Sequence, residues 1–560
     1  MSNSITIKRL KFDSFIIAVI VGICHAVATR DAVDPDGVSY LEIADAYFKG
    51  DFQSAVNSYW SPFYSWVIGL GLHIFKPDVF FEATFIHIIN SLIYIFAFFC
   101  FHFFLSALIE HQKKREEKLK NENIVFLPEW AWVLIGYSLF LWTSLNLITI
   151  SHVTPDMFLS AFVYLIFGLI LRIKNGNDSL ITFTFLGLVM GLAYLTKAVM
   201  FPLNFVFLFA VLFSVENFKK TLPKIFLSLV VFLFISSPFI YALSKQKGYF
   251  TYGETGRVNY VWYLDESKYE CWKEGSPGCK GVVRPAKKIC DVPKAFDYSE
   301  HLVGSYPMWY DPTYWFTGLK TNFTLLGQVK VLGKSFEKYF NLFFQWQGFI
   351  VACCIVLFFM SGRGFKSLKD IYECWYLILP SIIVFLLYSL IIVQYRYLGP
   401  FIAPFWCGIF AALKFHNYNQ KKEIIDKTVM LLVALLTITS IISQDIFVAG
   451  KNASAQMHAK VASAVRKLGV NPGDRVAVIG VNYGIYWTHL AKVNIVVEVP
   501  SEEEKNFWVI NSGDKKKLFK KIKTLGGKIV VAEQAPSHIS HEGWMSIKGT
   551  PYYIYLLKDF

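Results

Sequence analysis

Apolar runs dictate the fold class of this chain before any other feature does. They recur between residues 12 and 442, at about 12–29, 80–109, 129–149, 157–173, 180–195, 200–215, 225–243, 344–360, 371–393, 398–413 and 428–442. An α-helix rises about 1.5 Å per residue, so roughly 17–25 apolar residues cross the hydrocarbon of a bilayer. Seven of the eleven runs reach that length and the other four fall one or two residues short. Soluble domains are also about half apolar, but they do not gather their apolar residues into runs this long. Here 54% of the 560 residues are hydrophobic, including 53 Phe, and mean hydropathy is +0.42. The expected architecture is an α-helical polytopic membrane protein with about eleven transmembrane helices.

Charge orients the runs. The net charge of +14 is compatible with a nucleic-acid partner until its distribution is read. Basic residues gather in every second loop: Lys8, Arg9 and Lys11; Lys113 to Lys120; Arg172 and Lys174; Lys219, Lys220 and Lys224; Arg363, Lys366 and Lys369; Lys414 to Lys427. That alternation is the positive-inside rule. The charge sets topology, and no nucleic-acid surface is expected. The N-terminus is then cytoplasmic, and the loops at about 30–79 and 244–343 lie outside, as does the tail from about 443. The first run ends in an acidic turn and further spans follow it, so a multi-pass membrane protein without a cleavable signal is expected.

Two outer segments have their own structure. In the first loop, short amphipathic pieces run at 38–49 and 62–75; the second reads as interfacial, which keeps the basic loops inside. The tail changes texture: a helix is predicted over 454–468, strands at 475–480, 494–499, 528–532 and 552–557, and a helix near 515–525. This divides the chain into a membrane domain, 1–445, and an extracytoplasmic α/β domain, 446–560. Gly480 and Gly484 lack the G-x-G-x-x-G spacing, which excludes a dinucleotide loop. Of nine cysteines, six lie in or beside apolar runs, as packing residues do. Cys271, Cys279 and Cys290 share one hydrophilic outer loop, enough for one disulfide and one remaining thiol. No metal-type Cys/His spacing occurs.

Polar residues at the membrane edge are the candidates for function, because charges there are costly to desolvate. Asp34 and Asp36 follow the first run in Asp34-Pro35-Asp36-Gly37, Asp156 opens the fourth, Lys197 follows the fifth, and Arg396 lies between the ninth and tenth. Each has a structural explanation: an acidic turn capping a helix from Val38, a cap after Pro155, or bases reaching to headgroups. That all five fall on the outer face favours a shared cavity. There an aspartate can take a proton from an acceptor hydroxyl while Lys and Arg stabilise a departing phosphate. The second outer loop adds Glu254 and Arg257, and an aromatic string that ends in Tyr314 and Trp315. Such rings suit a sugar or an isoprenoid, and equally a membrane-interface belt.

These motifs resemble a family. Asp34-Pro35-Asp36-Gly37-Val38-Ser39-Tyr40, Ser61-Pro62-Phe63-Tyr64, Thr154-Pro155-Asp156, Tyr194-Leu195-Thr196-Lys197 and Arg396-Tyr397 look like those of the GT-C glycosyltransferases. The similar branch holds the protein O-mannosyltransferases and the aminoarabinose transferase of lipid A. The resemblance implies a GT-C-like fold and a sugar taken from a polyprenyl phosphate at the outer face, usually with inversion. The acceptor is a hydroxyl on a glycan, a lipid or a protein. It also implies Asp34 or Asp36 as the base or acceptor-orienting group, and Lys197, Arg396 and Tyr397 on the lipid phosphate. Asp156 would orient a partner; with Asp34 and Asp36 it could hold a divalent cation, Mg or Mn, which some members need. One departure is Tyr59-Trp60-Ser61-Pro62, where relatives carry an acidic residue or His before the proline. Rival readings are a polysaccharide polymerase or ligase, a lipid-linked sugar flippase, and a sensor with a ligand-binding tail. A flippase would need charges along a path through the spans, and the apolar runs contain few.

Overall fold

The structure is a computed structural model that describes residues 2–119, 124–215, 217–320, 323–364, 366–416, 418–442, 454–480, 484–536 and 543–557. Every apolar run is helical. In chain order the helices up to residue 441 are α1 (Ser2–Ala28), α2 (Pro35–Lys49), α3 (Phe52–Ala55), α4 (Pro62–Phe75), α5 (Glu82–Lys118), α6 (Glu129–Trp142), α7 (Asp156–Lys174), α8 (Leu180–Thr196), α9 (Met200–Ser214) and α10 (Phe218–Lys247). They continue with α11 (Thr255–Leu264), α12 (Pro307–Tyr310), α13 (Pro312–Trp315), α14 (Leu325–Phe340), α15 (Gly348–Ser361), α16 (Lys366–Glu373), α17 (Trp375–Ser389), α18 (Tyr395–Ala411) and α19 (Tyr418–Ile441).

Six are long and apolar enough to cross a membrane, α6 only together with the π-helical segment Thr143–Ile148. Two bent pairs pass the same test if each is one span, so six to eight candidate spans stand where about eleven were expected. The first bent pair joins α14, a π-helical segment Asn341–Trp346 and α15, with a 69° bend. A π turn breaks the i→i−4 ladder and is a common cause of a sharp kink. The second pair, α16 and α17, turns by 83°. The eight-residue α16 carries Lys366, Lys369, Asp370 and Glu373, so it belongs with the polar loop, and the span expected from 371 begins at Trp375. α8 and α9 are shorter apolar helices.

The central element is α7, whose apolar window is 89% buried. It packs against α5, α8, α9 and α18. α8 runs along α10 so closely that a Cβ on Gly187 would lie 2.4 Å from the Ser228 carbonyl oxygen. α1 is tied to α19 where His25 Nε2 meets the Ser440 carbonyl at 3.0 Å. On the face with the basic loops, β1 (Ile124–Val125) pairs antiparallel with β4 (Phe415–His416).

The segment between α1 and α5 folds into α2, α3 and α4, and α2 and α4 pack together. α2 begins at Pro35, three residues before the expected start, because Asp34 caps it and Pro is at home in a first turn. The tail forms helices Ser454–Lys467 and Ser512–Thr524 and strands β5 (Arg475–Ile479), β6 (Asn494–Val499), β7 (Gly527–Ala532), β8 (Trp544–Ser546) and β9 (Tyr553–Leu556). Its sheet is not self-contained. Two strands of the 244–343 loop, β2 (Lys287–Asp291) and β3 (Lys294–Asp297), extend it, giving the order β2-β3-β6-β5-β7-β9-β8 with β6, β5 and β7 parallel. The expected domain boundary at 445/446 lies outside the described residues. In the same loop Cys271 and Cys279 form the disulfide, and Cys290 in β2 is the remaining thiol.

Candidate active site

Two approaching chain segments build the site. The first is the start of α2. Asp34 Oδ1 accepts the Gly37 N–H at 2.8 Å, the bond that starts the helix. The second is the turn before α7, reached through a π-helical segment, Thr143–Ile148, and Thr149 at φ +62°. Asp34 Oδ2 crosses to this turn, accepting the Val153 N–H at 3.0 Å with His152 Nδ1 at 3.4 Å. The segments touch because residue 37 is glycine: a Cβ there would lie 2.6 Å from Val153 Cβ.

The two carboxylates of α2 have opposite character. Burial pushes Asp34 up, but His152, Arg396 and the Gly37 N–H outweigh it and hold the carboxyl at about 2. Asp36 is raised above the ordinary carboxylate range by burial, reinforced by the charge of Asp34 and opposed by Arg396. Asp34 is therefore a fixed anion with both oxygens engaged, while Asp36 is the better proton acceptor.

From Asp36 the site continues as a chain of ion pairs. Arg396 Nη2, in the first turn of α18, donates to Asp36 Oδ2 at 2.6 Å. Its Nε lies 3.9 Å from Asp156 Oδ2. Asp156, the first residue of α7, is 1% exposed. Its Oδ1 accepts from Lys197 Nζ at 2.5 Å and its Oδ2 from Thr154 Oγ1 at 3.0 Å. Lys197 follows the last residue of α8 and sits 3.7 Å above the centre of the Tyr397 ring. The Tyr397 hydroxyl is 3.4 Å from Arg396 Nη2. The side chains of Asp36, Lys197 and Arg396 are 20%, 20% and 21% exposed, so the cluster is open along one edge.

The other candidates fall elsewhere. Glu254, buried, accepts from Arg257 Nε at 2.5 Å and Thr251 Oγ1 at 2.8 Å, which locks the start of α11. Tyr314 stacks on His301 at 3.7 Å beneath the Arg284 guanidinium. Trp315 is a core residue, 1% exposed and packed on Tyr298, and cannot face a substrate. No contact among the described residues joins these four directly to Asp36, Lys197 or Arg396. One side chain of the site was not singled out in the sequence. His152, half-exposed beside Asp34, lies two residues before the Thr154-Pro155-Asp156 motif, and that proximity was a usable signal. The Tyr59-Trp60 departure is an aromatic wall: the rings of Tyr59 and Trp60 are 4.6 Å apart, and Trp60 Nε1 donates to the Trp309 carbonyl at 3.2 Å.

The donor set does not fit a divalent cation as it stands. Asp34 spends its oxygens on two backbone N–H groups and His152, Asp36 faces Arg396, and Asp156 faces Lys197 and Thr154. Among the described residues no group of three or more His, Cys, Asp and Glu side chains is placed to hold a metal ion.

No protein-family model matches the chain, and no curated protein sequence matches it. Solved structures do. The chain is similar to ArnT from Cupriavidus metallidurans in the apo state, with TM-score 0.54 and 12% identity over 97% of each chain. It is also similar to ArnT from the same organism bound to undecaprenyl phosphate, with TM-score 0.51 and 12% identity over 97% of each chain. A looser match is the oligosaccharyltransferase of Archaeoglobus fulgidus, with TM-score 0.47 and 11% identity over 94% of this chain and 68% of that one. At such identities the likeness is one of fold. With its apolar helices, the α2–α4 segment between them and the terminal α/β sheet, the chain has the GT-C-like fold of these ArnT structures.

Proposed function

We propose that the chain is a glycosyltransferase that moves a sugar from a polyprenyl-phosphate donor to an acceptor hydroxyl, with inversion, at the outer face of a bacterial inner membrane. The observation that carries this reading is the pairing of Asp36, a carboxylate with raised proton affinity, with Arg396 at 2.6 Å. Asp36 takes the proton of the acceptor hydroxyl as its oxygen bonds to the anomeric carbon. The bond from that carbon to the phosphate oxygen breaks on the opposite face. The departing phosphate gains charge, and the guanidinium of Arg396 and the ammonium of Lys197 receive it. Asp34 holds the start of α2 against the turn before α7, and Asp156 holds Lys197 and steers Arg396. No step is routed through a metal ion.

Two further observations support the setting. The solved relative of the same fold binds undecaprenyl phosphate, and the apolar helices offer a matching environment for an isoprenoid. The Cys271–Cys279 disulfide supports an oxidising compartment for the loop that carries α11. This agrees with an outer face for the cluster, a cytoplasmic N-terminus and an extracytoplasmic tail. The test is purified protein in vesicles with polyprenyl-phosphate sugars and a panel of glycan, lipid and peptide acceptors. Release of polyprenyl phosphate that depends on acceptor and on Asp36 is expected. Movement of the lipid between leaflets without release would overturn the reading.

A further inference from the structure

The helix that carries Asp36 at its start borders a cavity at its end. Asp36 and Lys49 are separated by thirteen residues of α2, about 20 Å along a helix. At the Lys49 end, α2, α4 and the start of α5 line a half-open cavity of about 290 Å³, with Lys492 of the tail also lining it. Its charges do not cancel. Lys492 hydrogen-bonds Asp45, and Glu82 accepts from Tyr486 at 3.1 Å with His489 Nε2 also at 3.1 Å. Lys49 comes no nearer than 3.8 Å to Asp45, which Lys492 already holds. Lys76, left-handed at φ 45° just past the end of α4, makes no ion pair among the described residues.

Exposed apolar side chains flank the cavity's lining residues in sequence. Its lining includes His73 stacked on Phe48 at 5.2 Å. Beside Lys76, the last two residues of α4, Ile74 and Phe75, are 61% and 69% exposed, and Phe80 and Phe81 across the turn are 43% and 45% exposed. Large exposed apolar side chains at the end of an apolar helix, beside Lys76 and beside Lys49, which Asp45 holds only at 3.8 Å, are the two halves of a lipid-binding surface.

We propose that this cavity binds the phosphate headgroup of an anionic membrane phospholipid. Lys49 and Lys76 contact the phosphate oxygens, and the acyl chains lie along Ile74, Phe75, Phe80 and Phe81. The inference stands on the cavity and its surroundings, independent of the transfer reaction.

The experiment uses delipidated full-length protein in a neutral detergent, read by native mass spectrometry and thermal unfolding. Phosphatidylglycerol, phosphatidylcholine and soluble glycerol 3-phosphate are added separately. One retained phosphatidylglycerol per chain and a raised Tm are expected, with weaker retention of phosphatidylcholine and none of glycerol 3-phosphate. Lys49→Gln with Lys76→Gln, both at exposed positions, should keep the lipid-free Tm and weaken phosphatidylglycerol binding about tenfold or more. Equal binding by the double variant, equal binding of phosphatidylcholine, or no retained lipid would overturn the proposal. Glycerol 3-phosphate binding as tightly as the lipid would overturn the lipid as the source of the phosphate.

Discussion

Asp36 and Arg396 stand 360 positions apart in the chain and meet at 2.6 Å. The contact joins the first turn of α2 to the first turn of α18, so the base of the proposed reaction and the cation that receives the leaving group are set by one hydrogen bond.

Asp34 and Asp36 are expected to separate on mutation. Asp36→Asn should lower polyprenyl-phosphate release by about 100-fold or more while Tm holds, since the amide keeps an acceptor for Arg396. Asp34→Asn keeps the cap on α2 but gives up one of the bonds to the turn before α7, at a cost of roughly 1 kcal/mol. Its turnover should remain within a few-fold of wild type. Paired release assays and thermal melts decide it; equal loss of turnover in both would remove the distinction.

Arg396→Gln tests the same pair through pH. Activity needs Asp36 ionised, and its raised proton affinity places the acid limb of the pH–rate profile above that of an ordinary aspartate. Arg396 holds that value down, so removing it should move the acid limb further toward neutrality. KM for the donor should rise more than KM for the acceptor. Profiles of kcat/KM for both substrates read out the two effects, and an unmoved acid limb would separate Arg396 from the base.

Lys197→Met leaves Asp156 buried with only the 3.9 Å approach of Arg396 to balance it. An uncompensated buried charge costs about 3–5 kcal/mol, so Tm should fall sharply. Adding Asp156→Asn should restore much of the Tm without restoring release. Recovery of activity in the double variant would show that Lys197 serves only to neutralise Asp156.

His489 predicts a dependence of stability on alkaline pH. It lies in the short helix Tyr486–Ala491 of the tail, with Nε2 at 3.1 Å from Glu82 of α5 and Nδ1 at 3.7 Å from Glu42 of α2. Tyr486 stacks beside it, and Lys492 and Asp45 are its other charged neighbours. Burial and Lys492 push the imidazole down, the two carboxylates outweigh them, and it titrates at about 9 against 6.5 when free. A raised value in the folded state means the contribution is complete below 6.5 and is lost as pH rises through 9. Melts from pH 6 to 10 should show wild type losing Tm across that window. His489→Gln should lack this component, and parallel curves would rule it out.

The sequence alone determined the elements that depend on local pattern. The apolar runs had to become helices because a bilayer leaves backbone N–H and C=O groups no other partner. Alternation in charge ordered the loops, and turn residues such as Pro35 and Pro62 sit at the first positions of α2 and α4. The charged residues at the edges of the spans could be singled out because each is costly where it stands. Tertiary packing decided everything that compares two distant places. The sequence offered Asp34 and Asp36 as equals; the approach of Val153, allowed by Gly37, makes one a cap, and Arg396 claims the other. Cys271 found Cys279 while Cys290 was drawn into β2, a strand that exists because the tail presents β6 through β3. The bends around Gln347 and Cys374 break runs that read as straight spans. Periodicity records which face of a helix is apolar, whereas which helix meets that face depends on contacts hundreds of residues apart.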